Sequence, residues 1–169
     1  MKTPLSFFPR TMVFLAAFLL GALTVHTAPS VITTMSLLDD MTNLAGMAEF
    51  PSPAYTCKQF SSYDPKSRTP GNEDWFANGD YGQYLRTENN GGRKEFVMMD
   101  AAGPGAIVRI WSANPNGTLR IYLDGSPVPA IEAPMNQLLG GEFPGLPRPI
   151  AGERSKGWNL YFPIPYAQS

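Results

Sequence analysis

Histidine and cysteine are almost absent from this sequence. Its 169 residues include one cysteine, Cys57, and one histidine, His26. A single cysteine excludes an intrachain disulfide and a cysteine zinc cluster, so we expect an unpaired, buried thiol. His26 lies in a segment that we expect to be removed, which would leave no histidine for Ser-His-Asp or Cys-His catalysis or for a zinc site. Carboxylates are therefore the groups best able to carry out chemistry here.

Clustered positive charge is also lacking. Lysine and arginine number 13 against 14 acidic residues, and no basic run exceeds two residues. Because nucleic-acid binding draws on clustered basic side chains, the sequence predicts no nucleic-acid partner.

The side-chain oxygens between Asn72 and Asp80 do not have the spacing of any known calcium-binding loop. We therefore expect no metal site and no cofactor.

The first 30 residues have the layout of a signal peptide. Lys2 and Arg10 precede an uncharged apolar run from Met12 to Val25, and small residues follow around Ala28 to Ser30. The alternative is an uncleaved N-terminal anchor, because Pro29 makes the cleavage position awkward. Both alternatives predict a secreted or periplasmic protein, with membrane contact only through an uncleaved segment.

Residues 31–50 form a helical lead-in. Apolar residues recur at helical spacing from Ser36 to Gly46, with Ser36 as a candidate cap and Asp39 and Asp40 in the first turn. Pro51 and Pro53 then break the pattern, and short β-like runs follow. We expect a short helix ahead of a β-domain.

The clearest strand signal is the stretch Gly103 to Gly125. Its first run alternates Ile107, Arg109 and Trp111 with Ala106, Val108 and Ile110, and its second run places Leu119, Ile121 and Leu123 on one face. The turn-forming residues 114–117 separate the two runs. The pattern predicts a β-hairpin.

Five further runs have strand character, and the loops between them are rich in glycine and proline. The runs are Tyr55–Ser61, Tyr81–Leu85, Lys94–Met99, Val128–Glu132 and Trp158–Phe162. Several short strands with such loops favour an all-β sandwich or jelly roll over residues 51–169. The chain stops within aromatic, core-like residues near Tyr166, so we expect an incomplete jelly roll, truncated at its C-terminus.

Two loops, residues 60–86 and 151–169, combine aromatic rings with carboxylates, amides and guanidinium groups. This mixture suits sugars, whose CH faces stack on rings and whose hydroxyls need donors and acceptors. The alternatives are ordinary: Asp and Asn beside Pro or Gly form turns, and tryptophans pack in cores. The candidate substrate-binding residues are Asp64, Asn72, Asp74, Trp111, Glu153, Arg154 and Trp158.

Four separated motifs resemble one known family. They are QFSSYD (59–64), GPGAIVRIWSANP (103–115), GTLRIYLDG (117–125) and GERSKGWNLYFPIPYA (152–167). From about Leu37 to its end, the chain is similar to the N-terminal part of proteins grouped as domain of unknown function 2961, now glycoside hydrolase family 172.

The resemblance implies a retaining glycosidase that acts on fructofuranose- or arabinofuranose-containing saccharides. It also implies jelly-roll β-sandwiches that assemble as trimers or larger homo-oligomers, with active sites near subunit interfaces. The family's two catalytic glutamates lie further along the chain than this sequence reaches, so none of its seven glutamates is assigned to the pair. The expectation is an N-terminal fragment that is inactive alone. The alternative is a non-catalytic β-sandwich that binds carbohydrate or mediates interactions at the cell surface.

Overall fold

A computed structural model describes residues 31–52, 54–66, 70, 71, 73 and 75–168. The predicted signal peptide (1–30) and two candidate site residues, Asn72 and Asp74, lie outside the described residues. Helix α1 (Thr34–Thr42) confirms the predicted short helix, but it begins two residues earlier than expected and ends at Thr42 instead of Gly46, so Asp39 and Asp40 lie beyond its first turn. The N-cap is Thr33, whose hydroxyl accepts from the Ser36 N–H at 3.1 Å while the Ser36 hydroxyl accepts from the Thr33 N–H at 2.9 Å. This reciprocal capping box determines where the helix starts.

In the described part of the chain, nine strands form most of the framework and confirm the prediction of an all-β domain. They make four small antiparallel sheets, ordered β1-β2, β3-β9, β4-β8-β7 and β5-β6. Their bounds are β1 (Arg86–Asn90), β2 (Arg93–Val97), β3 (Gly105–Ile107), β4 (Ile110–Ser112), β5 (Thr118–Ile121), β6 (Ile131–Pro134), β7 (Ala151–Arg154), β8 (Gly157–Leu160) and β9 (Ile164–Tyr166).

The predicted hairpin between Gly103 and Gly125 is wrong in its pairing. Both runs contain strands, but β3 pairs with β9, β4 pairs with β8, and β5 pairs with β6. The first run is also broken at Val108 and Arg109, so Ile107 and Ile110 both pack against the core instead of facing opposite sides. Alternation indicates which face of a strand is apolar, but it does not identify the partner strand.

The side chains of the second run point to the sides that the alternation predicts. Leu119 and Ile121 are buried at 7% exposure each, while Arg120 and Tyr122 lie on the opposite side. Two other expected strands do not form. Residues 55–61 have no regular secondary structure, and residues 81–85 bend at Gly82, where φ is 80°. Cys57, expected to be buried, lies in the first of these segments and is exposed because that segment stays outside the core.

The core lies between the β4-β8-β7 sheet and a helix that the sequence did not predict. Helix α2 (Met135–Gly140) buries Leu138 and Leu139 completely, and the sheet contributes Leu160 and Ala151, which are also fully buried. Six residues are too few to show a helical period. The helix ends at Gly141, whose φ of 81° is the left-handed conformation common after a helix.

Candidate functional site

The β4-β8-β7 sheet sorts the candidate residues onto two faces. In the ladder, Ser112 pairs with Trp158 and Trp158 with Glu153, while Trp111 pairs with Asn159 in the neighbouring row. Side chains in adjacent rows of a sheet point to opposite faces of it. Trp158 and Glu153 therefore share the face that packs on α2, and Trp111 lies on the outer face.

The turn between β7 and β8 determines this register. Ser155 and Lys156 have φ values of 51° and 62°, and the pair Arg154–Gly157 closes the loop. Positive φ at both central residues is the type I′ conformation, whose twist matches that of the two strands. This turn places Glu153 beside Trp158 and Arg154 on the opposite face.

Trp158 lies at the edge of the core. The buried row that contains Leu160 and Ala151 is two rows along the ladder, so it lies on the same face as Trp158. The six-membered ring of its indole packs on Gly140 of α2, where an added Cβ would approach Cζ3 to 2.8 Å. Because residue 140 has no side chain, the indole of Trp158 fits between the sheet and the helix.

A depression of about 460 Å³ opens beside this indole. Its lining consists of Ala113, Asn114, Pro115, Asn116, Asn136 and Trp158. The N–H of Met135 donates to the carbonyl of Gly117 at 2.9 Å and ties the asparagine loop to the start of α2. Sequence reasoning identified Trp158 but missed the three asparagines, since residues 114 and 116 resembled turn formers and residue 136 carried no signal.

The depression combines an aromatic ring with three primary amides. Each amide offers two N–H donors and a carbonyl acceptor, which is the chemistry that neutral hydroxyl groups require. No carboxylate is among the described residues that line the depression, although Glu153 is the cross-strand neighbour of Trp158. The arrangement suits binding of a polyhydroxylated ring and lacks the paired carboxylates needed to cleave a glycosidic bond.

The outer face of the sheet carries a different cluster. Asn159 is 3% exposed, and its Oδ1 accepts from Arg109 Nη2 at 2.9 Å and from the Tyr161 hydroxyl at 3.2 Å. The Arg109 guanidinium also lies over the Tyr161 ring at 5.6 Å. Trp111 is 54% exposed and lies over Gly157, a position that a larger residue would obstruct. Trp111 is thus an accessible ring on the face opposite to Trp158.

The remaining candidates have local partners. Arg154 is exposed, and its Nη1 donates to the carbonyl of Glu153 at 2.7 Å. Asp64 is 7% exposed; its carboxylate accepts from the N–H groups of Lys66 and Gly79, both at 2.9 Å. The Asp64 N–H in turn donates to Asp80 Oδ1 at 2.8 Å. Asp64 therefore closes the 64–80 loop, and a role for it in substrate binding stays a prediction.

Two glutamates face each other across the β1-β2 hairpin, where Glu88 pairs with Glu95. Each carboxylate has an arginine partner, Arg86 Nε at 2.6 Å from Glu88 and Arg93 Nε at 2.9 Å from Glu95. The Tyr122 hydroxyl also donates to Glu95 at 3.1 Å. These contacts join the hairpin to the segment that follows β5.

The environment of Glu95 keeps its side chain ionised. Desolvation raises its pKa, but hydrogen bonds from Arg93, Asn90 and Tyr122 outweigh that effect, so the pKa lies below the ordinary value. A glycosidase acid needs a raised pKa. The Glu88–Glu95 pair is thus a structural ion-pair network and not an acid and nucleophile.

Metal and membrane features are not evident in the described part of the chain. No three carboxylate, cysteine or histidine side chains there are grouped so that they could hold a metal ion. From residue 31 onward, no described helix is both long and apolar enough to cross a bilayer. The apolar run from Met12 to Val25 lies outside the residues that were described.

Comparison with known proteins identified a family. Residues 53–169 match the family model described as the GH172 first beta-sandwich domain, which covers more than half of the chain. No curated protein and no solved structure matches the chain. The matched range includes every strand and the whole depression beside Trp158.

Proposed function

The chain belongs to glycoside hydrolase family 172, and we propose that it supplies part of the sugar-binding surface of a retaining furanosidase without carrying the catalytic pair. The sugars are fructofuranose- or arabinofuranose-containing saccharides. The observation that carries this proposal is the depression in which Trp158 adjoins Asn114, Asn116 and Asn136. An aromatic ring offers a CH-stacking surface and the amides offer directed hydrogen bonds.

Binding without cleavage follows from the described carboxylates. Retaining hydrolysis requires two carboxyl groups roughly 5 Å apart, one of them with a raised pKa. No carboxylate is among the described residues that line the depression, and Glu88 and Glu95 are each paired with arginine. A non-catalytic sugar-binding module is the second candidate, because the same depression supports it.

We further propose an exported protein that assembles with copies of itself. The signal-peptide pattern of residues 1–30 supports export. Apolar residues that follow α1 support assembly: Leu44 is 79%, Met47 76% and Phe50 99% exposed. Large apolar residues exposed together in one short segment are a feature of interaction surfaces. The trimer-based assembly is the one that the family resemblance implies.

The test is titration calorimetry of the purified chain with inulin-type fructo-oligosaccharides and arabino-oligosaccharides. We expect Trp158→Ala to weaken binding by about tenfold or more, since a central aromatic anchor contributes most to such a site. Asn136→Ala, at an exposed position, should weaken binding by about threefold, which corresponds to one lost neutral hydrogen bond. Trp75→Ala is the matched control, because Trp75 is 46% exposed and does not line the depression.

Two results would contradict the proposal. Unchanged affinity in both Trp158→Ala and Asn136→Ala would remove the depression as the binding site. Release of reducing sugar by the purified chain, above the rate of a buffer blank, would refute the absence of a catalytic pair. Thermal melting of each variant shows whether a loss of affinity reflects unfolding.

A further inference from the structure

A second depression, of about 530 Å³, lies at the base of the β1-β2 hairpin. Its lining consists of Tyr81, Gly82, Tyr84, Arg86, Thr87 and Phe96. None of these residues lines the depression beside Trp158. Tyr81 is 92%, Tyr84 41% and Phe96 48% exposed, so three aromatic rings are accessible from one opening.

Two of the three rings of this depression, Tyr84 and Phe96, pack against each other. Tyr84 stacks on Phe96 with centroids 4.6 Å apart and planes at 26°. Lys94 Nζ lies over the Phe96 ring at 5.0 Å from its centroid, from the turn end of the hairpin. The ladder extends beyond β1, because the Leu85 N–H donates to the Val97 carbonyl at 2.9 Å. Phe96 covers one face of the Tyr84 ring and leaves the other face for a ligand. Because the stacking orients the Tyr84 ring before a ligand binds, the entropic cost of binding is lower.

The arginine that lines this depression is already paired with carboxylates. Arg86 pairs through Nε with Glu88 and through Nη1 with Asp100, each at 2.6 Å. Neither pair engages Nη2, which is available as a donor, and the Thr87 hydroxyl is a further donor and acceptor. Phosphate or carboxylate ligands are favoured by an uncompensated cation, whereas Arg86, the cation in the lining, already has two anionic partners and Lys94 is not part of the lining. The site therefore matches a neutral, hydroxyl-bearing ring.

We propose that this depression is a second saccharide site, in which a sugar ring of an oligosaccharide stacks on Tyr84 while Arg86 and Thr87 bind its hydroxyl groups. The choice of a sugar as ligand rests on the proposed function. The location does not, because the residues of the two depressions do not overlap. A site of this kind, which lacks a catalytic pair, holds a long substrate without cleaving it.

The test is calorimetric titration of the whole chain with an inulin-type fructo-oligosaccharide, an arabino-oligosaccharide and cellopentaose, the last as a pyranose probe. Tyr84→Ala should weaken binding of at least one probe by about tenfold, and Tyr84→Phe should restore it to within about twofold because the ring is retained. Tyr81→Ala, at a position too exposed to affect folding, should weaken it by about threefold. Tyr55→Ala is the matched control, since Tyr55 is 77% exposed and lines neither depression.

Including Trp158→Ala in the same series separates the two proposals. Loss with Tyr84→Ala but not with Trp158→Ala supports this inference and contradicts the role of Trp158. The reverse pattern overturns this inference alone, as does a Tyr84→Phe variant that binds no better than Tyr84→Ala. Affinity that changes in neither variant, or a wild-type chain that binds none of the three probes, overturns both.

Discussion

The contact between Gly140 and Trp158 is the packing feature on which the first depression depends, and Gly140→Ala tests it. A Cβ at residue 140 would lie 2.8 Å from Cζ3 of the indole. Carbon atoms in contact lie about 3.5–4.0 Å apart, so ring or helix must move by roughly 1 Å. Overpacking of this kind costs about 1–3 kcal/mol, and alanine recovers about 0.5–1 kcal/mol of helix propensity. We expect a net loss of about 0–2.5 kcal/mol in the free energy of unfolding.

A double-mutant cycle with Trp158→Phe isolates that contact. The phenyl ring is smaller than the indole, so Gly140→Ala should be neutral or stabilising in the Trp158→Phe background. The coupling free energy should then be about 1 kcal/mol or more, whereas independent sites add to within roughly 0.5 kcal/mol. Urea denaturation followed by far-UV circular dichroism measures it, since fluorescence changes when Trp158 is replaced.

Gly141→Ala is the matched control for this cycle. Its φ is +81° and its added Cβ would lie 2.9 Å from the carbonyl oxygen of Ala151, a backbone atom. This cost should not depend on residue 158. Additive effects of Gly140→Ala and Trp158→Phe would refute the argument that Gly140 positions the indole.

Two further predictions concern stability. The partners of Glu95 lower its pKa, so its contribution to the free energy of unfolding is present above pH 4.5, the ordinary pKa, and is lost as the pH falls through the lower pKa of the folded state. Glu95→Gln should therefore flatten the acid dependence of stability in urea titrations at pH 2.5–6. An unchanged profile would contradict the assignment. Leu160→Ala, at a fully buried position, should cost about 2–5 kcal/mol in the same assay, and a loss below about 1 kcal/mol would show that β8 is not part of the core.

The candidate site illustrates where sequence reasoning stops. Trp158 and Glu153 were predicted as site residues, and the ladder brings them together as cross-strand neighbours. Asn136 was not predicted, because α2 is too short to show a period and its role depends on the hydrogen bond between Met135 and Gly117. Trp111 belonged to the same predicted set as Trp158, yet the pleat places it on the other face.

By itself, the sequence determined the class of fold, the family and the apolar face of individual strands such as β5. Composition, turn residues and period-two alternation can be recognised in the sequence without knowledge of the tertiary contacts. Only the tertiary structure decided the partners of each strand, because pairing depends on which apolar faces can be buried together across long separations. That is why the two runs between Gly103 and Gly125 do not pair with each other, and why the depression beside Trp158 joins residues 113–116 to Asn136, which no local pattern connects.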